Sequence, residues 1–170
     1  MTNPTPRRIV TGHDDAGRSV LLSDAPTPTT ATLENGAAFH EIWATSETPA
    51  TIAAAEAAEP TDRPLQVAPD PQGTIVYVID MPPGAVAPMH RTKSIDYGVV
   101  LDGEVDLELD DGSVVTMSPG DVVVQRGTAH AWRNRSSGTV RMFFVNVDGE
   151  FTADLRSTLG VDVLSHLYGA

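Results

Sequence analysis

Short runs of apolar and β-branched residues alternate with turn-forming residues along most of the chain. Between residues 74 and 147 the predicted strands are Thr74–Asp80, Ala87–His90, Ile95–Leu101, Val105–Leu109, Val114–Met117, Asp121–Gln125, Ala129–Asn134 and Val140–Val147. The pair Asp111-Gly112, between two alternating runs, is a strong hairpin signal. Many short strands at spacings of about ten residues predict an all-β sandwich or barrel.

The first 73 residues carry a weaker version of this pattern. Three short runs predict further strands: Arg8–Val10, Ser19–Leu22 and Phe39–Trp43. The stretch Pro26–Thr30 predicts a turn or loop. From Thr48 to Gly73 the composition shifts to Ala, Pro and Glu, which predicts an irregular excursion packed on the barrel or lying over its mouth. Prolines confine any helix in this excursion to one or two turns over residues 50–58.

The length of 170 residues predicts one domain with a full core, spanning 1–170. Its core barrel is expected at about 74–148, preceded by the N-terminal strands and excursion of residues 1–73. The tail from Thr152 to Leu167 predicts a short helix interrupted by Gly160. No internal repeat is visible, so one barrel is expected.

Charge and composition exclude several classes of function. The net charge of −12, from 23 acidic and 11 basic residues, repels a polyanion, so nucleic-acid binding is not expected. The chain has no cysteine, which removes disulfides, thiolate ligands and a cysteine nucleophile. No apolar run follows the N-terminal arginines or approaches the length of a membrane span, so we expect a cytoplasmic protein without membrane partners. No phosphate-binding glycine loop or nucleophile elbow occurs.

Two sets of residues stand out by their spacing. The first is Gly84, His90, Thr92, Asp96 and Gly103, and the second is Gly120, Gly127, His130 and Asn134. These spacings resemble the two sequence motifs of the cupin superfamily. The resemblance implies a double-stranded β-helix, or jelly-roll barrel, here with extra N-terminal strands and a short C-terminal helix. It also implies a barrel-interior site that usually holds one divalent metal ion, and a homodimer formed through N-terminal strands.

The chain departs from the first motif at two ligand positions. The family's second histidine is replaced by Thr92, and its glutamate by the shorter Asp96. A threonine hydroxyl is a poor ligand compared with imidazole, and Asp96 reaches the centre only if its backbone lies closer. Two alternatives follow for His90, Asp96 and His130. They hold one ion, with Fe, Zn, Mn, Ni and Co all suited to such ligands, or they work without metal as an acid–base group.

Further side chains are candidates for the substrate pocket. Alternation along a strand places Thr92 on the side of His90, and Trp132 on the side of His130. Gln125 stands where many relatives have proline, and its amide is available to a ligand or to a loop. His40 and Trp43 lie in one predicted strand from which they can reach the cavity. These five residues are the predicted pocket: Thr92, Gln125, Trp132, Trp43 and His40.

The resemblance and the candidate site favour an enzyme acting on a small molecule. The preferred reaction is a lyase or isomerase step, such as dehydration or cyclisation, with His90, Asp96 and His130 as the catalytic residues. An Fe(II)-dependent dioxygenase is the alternative within enzymes, because two histidines and a carboxylate are sufficient ligands. In a second class of function, a non-enzymatic barrel binds a metabolite to which the histidines only hydrogen-bond.

Overall fold

The computed structural model describes residues 3–160 of the chain. Within that range it contains β-strands and one short helix, in this order: β1 Arg7–His13, β2 Ser19–Pro26, β3 Thr29–Thr32, β4 Ala38–Thr45, β5 Thr74–Met81, β6 Val86–His90, β7 Ser94–Asp102, β8 Val105–Leu109, β9 Val114–Met117, β10 Val122–Arg126, β11 His130–Arg133, β12 Val140–Asp148 and α1 Ala153–Leu159. The predicted all-β fold class is confirmed, with the strands predicted between residues 74 and 147 all present.

The strands form three antiparallel sheets. The largest has the order β10-β7-β12-β5-β4-β3, the second has the order β6-β11-β8-β9, and β1 pairs only with β2. The two larger sheets share one hydrophobic core, in which the ring of Trp132 on β11 lies 5.8 Å from that of Phe144 on β12. Most neighbouring strands in the large sheet are distant in sequence, as expected of a barrel closed by crossovers.

Alternation along the strands decides which side chains face the interior. On β12, burial follows every second residue, through Val140, Met142, Phe144 and Asn146. Gly98 lies on the neighbouring strand β7, where a Cβ atom would collide with the ring of Phe144. Glycine at this position therefore lets the Phe144 ring lie flat against the sheet and fill the core.

The region between β2 and β4 differs from the prediction. Pro26–Thr30 was expected to be a turn or loop, but β2 extends to Pro26 and β3 begins at Thr29. The β3 strand pairs with β4 from Thr29 opposite Glu41 onwards, and the Thr29 hydroxyl also donates to the Thr61 carbonyl oxygen. Proline and threonine are compatible with an edge strand, and the open edge of β4 supplies the hydrogen bonds that the local sequence does not indicate.

The excursion of residues 48–73 packs on the barrel, which is one of the two placements predicted for it. Leu65 and Val67 contact the hydrophobic core, and Arg63 donates to the fully buried Glu41 at 2.9 Å. The predicted helical turns over residues 50–58 are absent. These residues form bends and irregular backbone instead. The prolines prevent regular secondary structure in this segment, and the side-chain contacts of Arg63, Leu65 and Val67 attach it to the barrel.

The helical prediction for the tail is confirmed over part of its range. Helix α1 spans Ala153–Leu159, with the Thr152 hydroxyl accepting from the Leu155 amide at its start and Gly160 ending it. The remainder of the predicted range, 161–167, lies outside the described residues. None of the helical structure in residues 3–160 has the length and apolarity that crossing a membrane requires.

Candidate functional site

A cavity opens between the two larger sheets and contains most of the predicted site. Its volume is about 70 Å³ open to the centres of water molecules, space for about five waters. The lining is mostly apolar, with the aromatic rings of Phe39, Tyr77, Trp132 and Phe144. The polar residues that line it are Asn35, His90, Thr92, Asp96, Gln125, His130 and Asn146. An apolar chamber with few polar groups is the usual form of a small-molecule site.

His90 and His130 lie side by side on one wall. They are opposite each other in the antiparallel pair of β6 and β11, and their ring centroids are 4.3 Å apart. The ring of Trp132 packs against His130 with a centroid distance of 6.0 Å. The structure therefore brings together two residues separated by about forty positions, as the strand pairing requires.

Matching backbone contacts orient the two imidazoles. Nδ1 of His90 lies 2.7 Å from the Pro88 carbonyl oxygen, and Nδ1 of His130 lies 2.9 Å from the Thr128 carbonyl oxygen. Because a carbonyl oxygen only accepts hydrogen bonds, we assign the proton of each neutral ring to Nδ1. The basic nitrogen of each ring is then Nε2.

Burial keeps both rings uncharged. It is the main cause that lowers the pKa of His90, which the hydrogen bond to Pro88 only partly offsets. Burial, followed by repulsion from His90, lowers the pKa of His130 to about 4. A charged imidazolium is disfavoured where water is excluded and a second imidazole is close. Both residues are therefore neutral near pH 7, and each ring keeps one unprotonated nitrogen.

Asp96 lies in the same cavity with its carboxylate held by two hydroxyl groups. The Thr92 hydroxyl donates to Oδ2 at 2.9 Å, and the Ser94 hydroxyl donates to Oδ1. Burial raises the pKa of Asp96, and these two hydrogen bonds offset only part of that rise. The cavity thus contains a carboxyl group that protonates more readily than an exposed one. Ser94 has a role here that the sequence did not suggest.

The predicted ligand set does not fit a metal ion. Among residues 3–160 no three His, Cys, Asp or Glu side chains are grouped so that they could hold one. Thr92, which replaces the family's second histidine, donates to the Asp96 carboxylate. The carboxylate is thus directed to the Thr92 and Ser94 hydroxyls, and His90, Asp96 and His130 do not form the predicted three-ligand site. The physical reason is the short reach of Asp96 combined with two nearby hydroxyl donors.

One further amide was missed in the sequence. Asn146 is 5% exposed, lines the cavity and lies opposite Asp96 in the β7–β12 pair. Gln125, a predicted pocket residue, lies opposite Asp96 on the other side, in the β10–β7 pair. Asn146 could have been found by counting two residues on from Phe144, since alternate residues of a strand share a face.

Two predicted pocket residues lie elsewhere. His40 follows Phe39, which faces the cavity, so His40 faces the opposite way and bonds to Thr30 and Asp80. Trp43 comes after an irregularity in the β4–β5 register and packs against the Arg8 guanidinium, 5.7 Å from its ring centroid. The expectation that His40 and Trp43 reach the cavity is corrected, whereas Thr92, Gln125 and Trp132 do line it.

A mostly apolar cavity between two antiparallel sheets, with paired histidines on one wall, is typical of β-barrels that bind small molecules. The family model described as a Cupin domain matches residues 77–146. Phomopsin biosynthesis cluster protein C' of Diaporthe leptostromiformis is 41% identical over 151 residues, covering 86% of this chain and 80% of that protein. The chain belongs to the cupin superfamily.

One further relative in sequence and one solved structure are also similar to this chain. The cupin-domain-containing oxidoreductase fogC of Aspergillus ruber is 41% identical over 148 residues, covering 83% of this chain and 71% of that protein. The solved cupin domain of Cnp3 from Schizosaccharomyces pombe aligns with a TM-score of 0.51 at 13% identity, covering 84% of this chain and 87% of that chain. The structural likeness concerns the fold alone.

Proposed function

We propose that the protein is an enzyme of secondary metabolism that transforms a small, mainly apolar metabolite by proton transfer. The observation that carries this proposal is the His90–His130 pair on the wall of a mostly apolar cavity. The two ring centroids are 4.3 Å apart, and burial keeps both rings neutral. Relatives named as biosynthesis cluster proteins support the metabolic setting. We expect a lyase or isomerase step, such as dehydration or cyclisation.

The histidine pair is suited to handle one proton at a time. Nε2 of one neutral ring removes a proton from a carbon beside an electron-withdrawing group of the substrate. The second ring resists protonation at the same time, because two positive charges at this spacing repel each other. The pair then returns the proton. In a dehydration the proton leaves with the substrate hydroxyl as water, and in an isomerisation it moves to another atom, so neither reaction needs an oxidant.

Asp96 supplies the acid in this scheme. Its raised pKa favours the protonated form relative to an exposed aspartate, and the Thr92 and Ser94 hydroxyls fix its orientation. A protonated carboxyl donates a hydrogen bond to a substrate oxygen on which negative charge develops. A base with a lowered pKa and an acid with a raised pKa then line one cavity.

Mass spectrometry of a metabolite extract from the source organism tests the reaction class. The extract is incubated with the wild-type protein, with the His90→Ala/His130→Ala double variant, and with His13→Ala, which changes an exposed histidine on β1. We expect a compound that loses the mass of one water, or that isomerises and takes up deuterium from heavy water, with the wild type and His13→Ala only. A metabolite that is retained by the protein but neither loses water, isomerises nor takes up deuterium would instead indicate a binding protein.

The printed names of several relatives favour a second candidate, an oxidoreductase. The same incubation separates the two, because an oxidation removes hydrogen from the metabolite or adds oxygen to it. Consumption of dissolved oxygen on addition of Fe(II) and the active extract fraction would support the dioxygenase version and contradict the proton-transfer reaction.

The homodimer stays a proposal that rests on the family resemblance. The β1–β2 sheet pairs with no other strand of the described residues and exposes Ile9 and Leu21, and two-stranded sheets are marginally stable alone. Burial of this sheet against a second copy would stabilise it. Light scattering coupled to size exclusion is expected to give twice the chain mass, and Leu21→Glu is expected to give the monomer mass.

A further inference from the structure

Three polar side chains form a row across the cavity wall that is made by β10, β7 and β12. Gln125 is the register partner of Asp96, and Asp96 is the register partner of Asn146. All three line the cavity, and their exposed fractions are 4%, 3% and 5%. Residues in register on adjacent strands share a face, so the row crosses the wall in one line.

The middle of this row is satisfied by the protein, and its two ends are not. Both oxygens of Asp96 accept hydrogen bonds, from Thr92 and Ser94. Nε2 of Gln125 and Oδ1 of Asn146 are buried and have no hydrogen-bond partner among residues 3–160. The row therefore presents one unused donor and one unused acceptor on either side of a carboxyl group.

The cost of this arrangement argues for a ligand. A buried polar atom without a partner destabilises a fold, so proteins leave few of them. The strand that carries Asn146 also brings Phe144, and Trp132 lies across from it, so the neighbouring lining is apolar. Groups that are unsatisfied by the protein and face a cavity are the ones a bound molecule can satisfy.

We infer that Gln125 and Asn146 are the residues that select the substrate, which deepens the function proposed above and rests on it. The Gln125 amide donates to an acceptor oxygen of the ligand, such as a carbonyl. The Asn146 oxygen accepts from a hydroxyl or N–H of the same molecule. Two strand spacings separate their backbones, about 9.6 Å, so the two groups stand at opposite ends of a ring-sized unit. The substrate class is a small ring compound with an acceptor at one end and a donor at the other.

Binding of three matched probes tests this assignment without any turnover. The first, 4-hydroxyacetophenone, has a carbonyl and a hydroxyl across one ring. The second, 4-methylacetophenone, lacks the hydroxyl, and the third, 4-ethylphenol, lacks the carbonyl. Calorimetry on the wild-type protein is expected to show that the first probe binds about fivefold more tightly than either of the others, since one hydrogen bond contributes about 1 kcal/mol.

Two variants assign each preference to one residue. Gln125→Met is expected to abolish the preference for the carbonyl and keep that for the hydroxyl, whereas Asn146→Leu is expected to do the reverse. Neither variant should lower the melting temperature, because each removes a buried polar atom that has no protein partner. Gln66→Met is the matched control, since Oε1 of Gln66 is also buried without a partner but Gln66 does not line the cavity. It should keep both preferences.

The outcomes separate this inference from the proposed reaction. A wild-type protein that binds all three probes equally, or none of them, overturns the inference, as do variants that keep both preferences. Loss of both preferences in Gln66→Met as well would also overturn it. If the probe preferences follow the expected pattern but the histidine variants lose no turnover, substrate selection stands and the proton-transfer reaction fails.

Discussion

Two polar clusters of this protein each contain histidine, aspartate and asparagine, and they differ in how completely their amide groups are hydrogen-bonded among the described residues. The first is the cavity cluster of His90, His130, Asp96, Gln125 and Asn146. The second is the Asp80 cluster of Asn3, His40, Asp80 and Arg141, on the other side of the large sheet. Asp80 accepts hydrogen bonds from Asn3, His40 and Arg141 at 2.7–3.0 Å, and His40 is also bonded to Thr30.

The two carboxyl groups show what the bonding does. Burial alone would raise the pKa of Asp80, but the hydrogen bonds from Arg141, Asn3 and His40 lower it below its usual value. Asp96 has hydroxyl donors and no cationic partner among the described residues, so burial dominates and its pKa is raised. A buried polar cluster is thus structural where its groups are fully paired, as around Asp80. It is a candidate site where amide atoms such as those of Gln125 and Asn146 lack partners among the described residues and a cavity is adjacent.

The largest expected effect is on turnover. His130→Ala removes a buried neutral base, and we expect the rate to fall about 10²–10⁴-fold, the range for a general acid–base group. His40→Gln, in the Asp80 cluster, should leave the rate per folded molecule unchanged. Steady-state rates with the metabolite found by mass spectrometry measure both. Equal losses in the two variants would show that the clusters do not differ in function.

The second largest expected effect is on the free energy of unfolding, and it concerns the Asp80 cluster. Arg141→Met leaves the buried Asp80 carboxylate without its guanidinium partner, which is expected to lower the free energy of unfolding by about 3 kcal/mol. Denaturant titration followed by fluorescence measures this change. Arg7→Met is the control, because its ion pair with Asp24 is exposed and no measurable change is expected. A stability equal to the wild type in Arg141→Met would contradict the structural role.

The pH dependence of stability is expected to report on the cavity cluster. The pKa of His130 falls from 6.5 to about 4 on folding. The unfolded chain therefore binds a proton that the folded protein does not, and stability is full above pH 6.5 and falls as the pH drops toward 4. Between pH 7 and pH 5 the contribution lost is about 2 kcal/mol.

His130→Gln tests this by removing the titrating group. Its free energy of unfolding should change less over that pH interval than that of the wild type, as measured by denaturant titration at each pH. Parallel curves for the two proteins would show that His130 titrates normally in the fold.

The smallest expected effect comes from removing metal ions. Because the described residues contain no group of three metal ligands, turnover is expected to be unchanged after dialysis against a chelator. Adding back Fe(II), Zn, Mn, Ni or Co one at a time should likewise have no effect. Loss of turnover on dialysis, restored by one of these ions, would contradict the metal-free scheme.

The strands were predictable because alternation and turn residues are local signals. The two site histidines were predictable because they lie at fixed spacings within the two motifs. Strands β8 and β9 have the predicted bounds, since alternation and the Asp111-Gly112 turn are properties of a short stretch. Strand β3 was not predictable, since its hydrogen bonds come from the edge of β4. The predicted helical turns at 50–58 failed for a similar reason, because contacts with the barrel hold that segment.

The sequence by itself determined an all-β barrel, because turn glycines and period-two alternation act over a few residues, and the resemblance of its two motifs to those of cupins implied His90 and His130 in the barrel interior. Only the tertiary structure decided which polar groups are paired. In the folded protein His40 bonds to Asp80, and the Asp96 carboxylate accepts from Thr92 and Ser94. The amides of Gln125 and Asn146 each keep a buried atom without a partner among the described residues. The partner of a polar side chain is chosen by neighbours in space, and in a barrel with crossover connections those neighbours are distant in sequence.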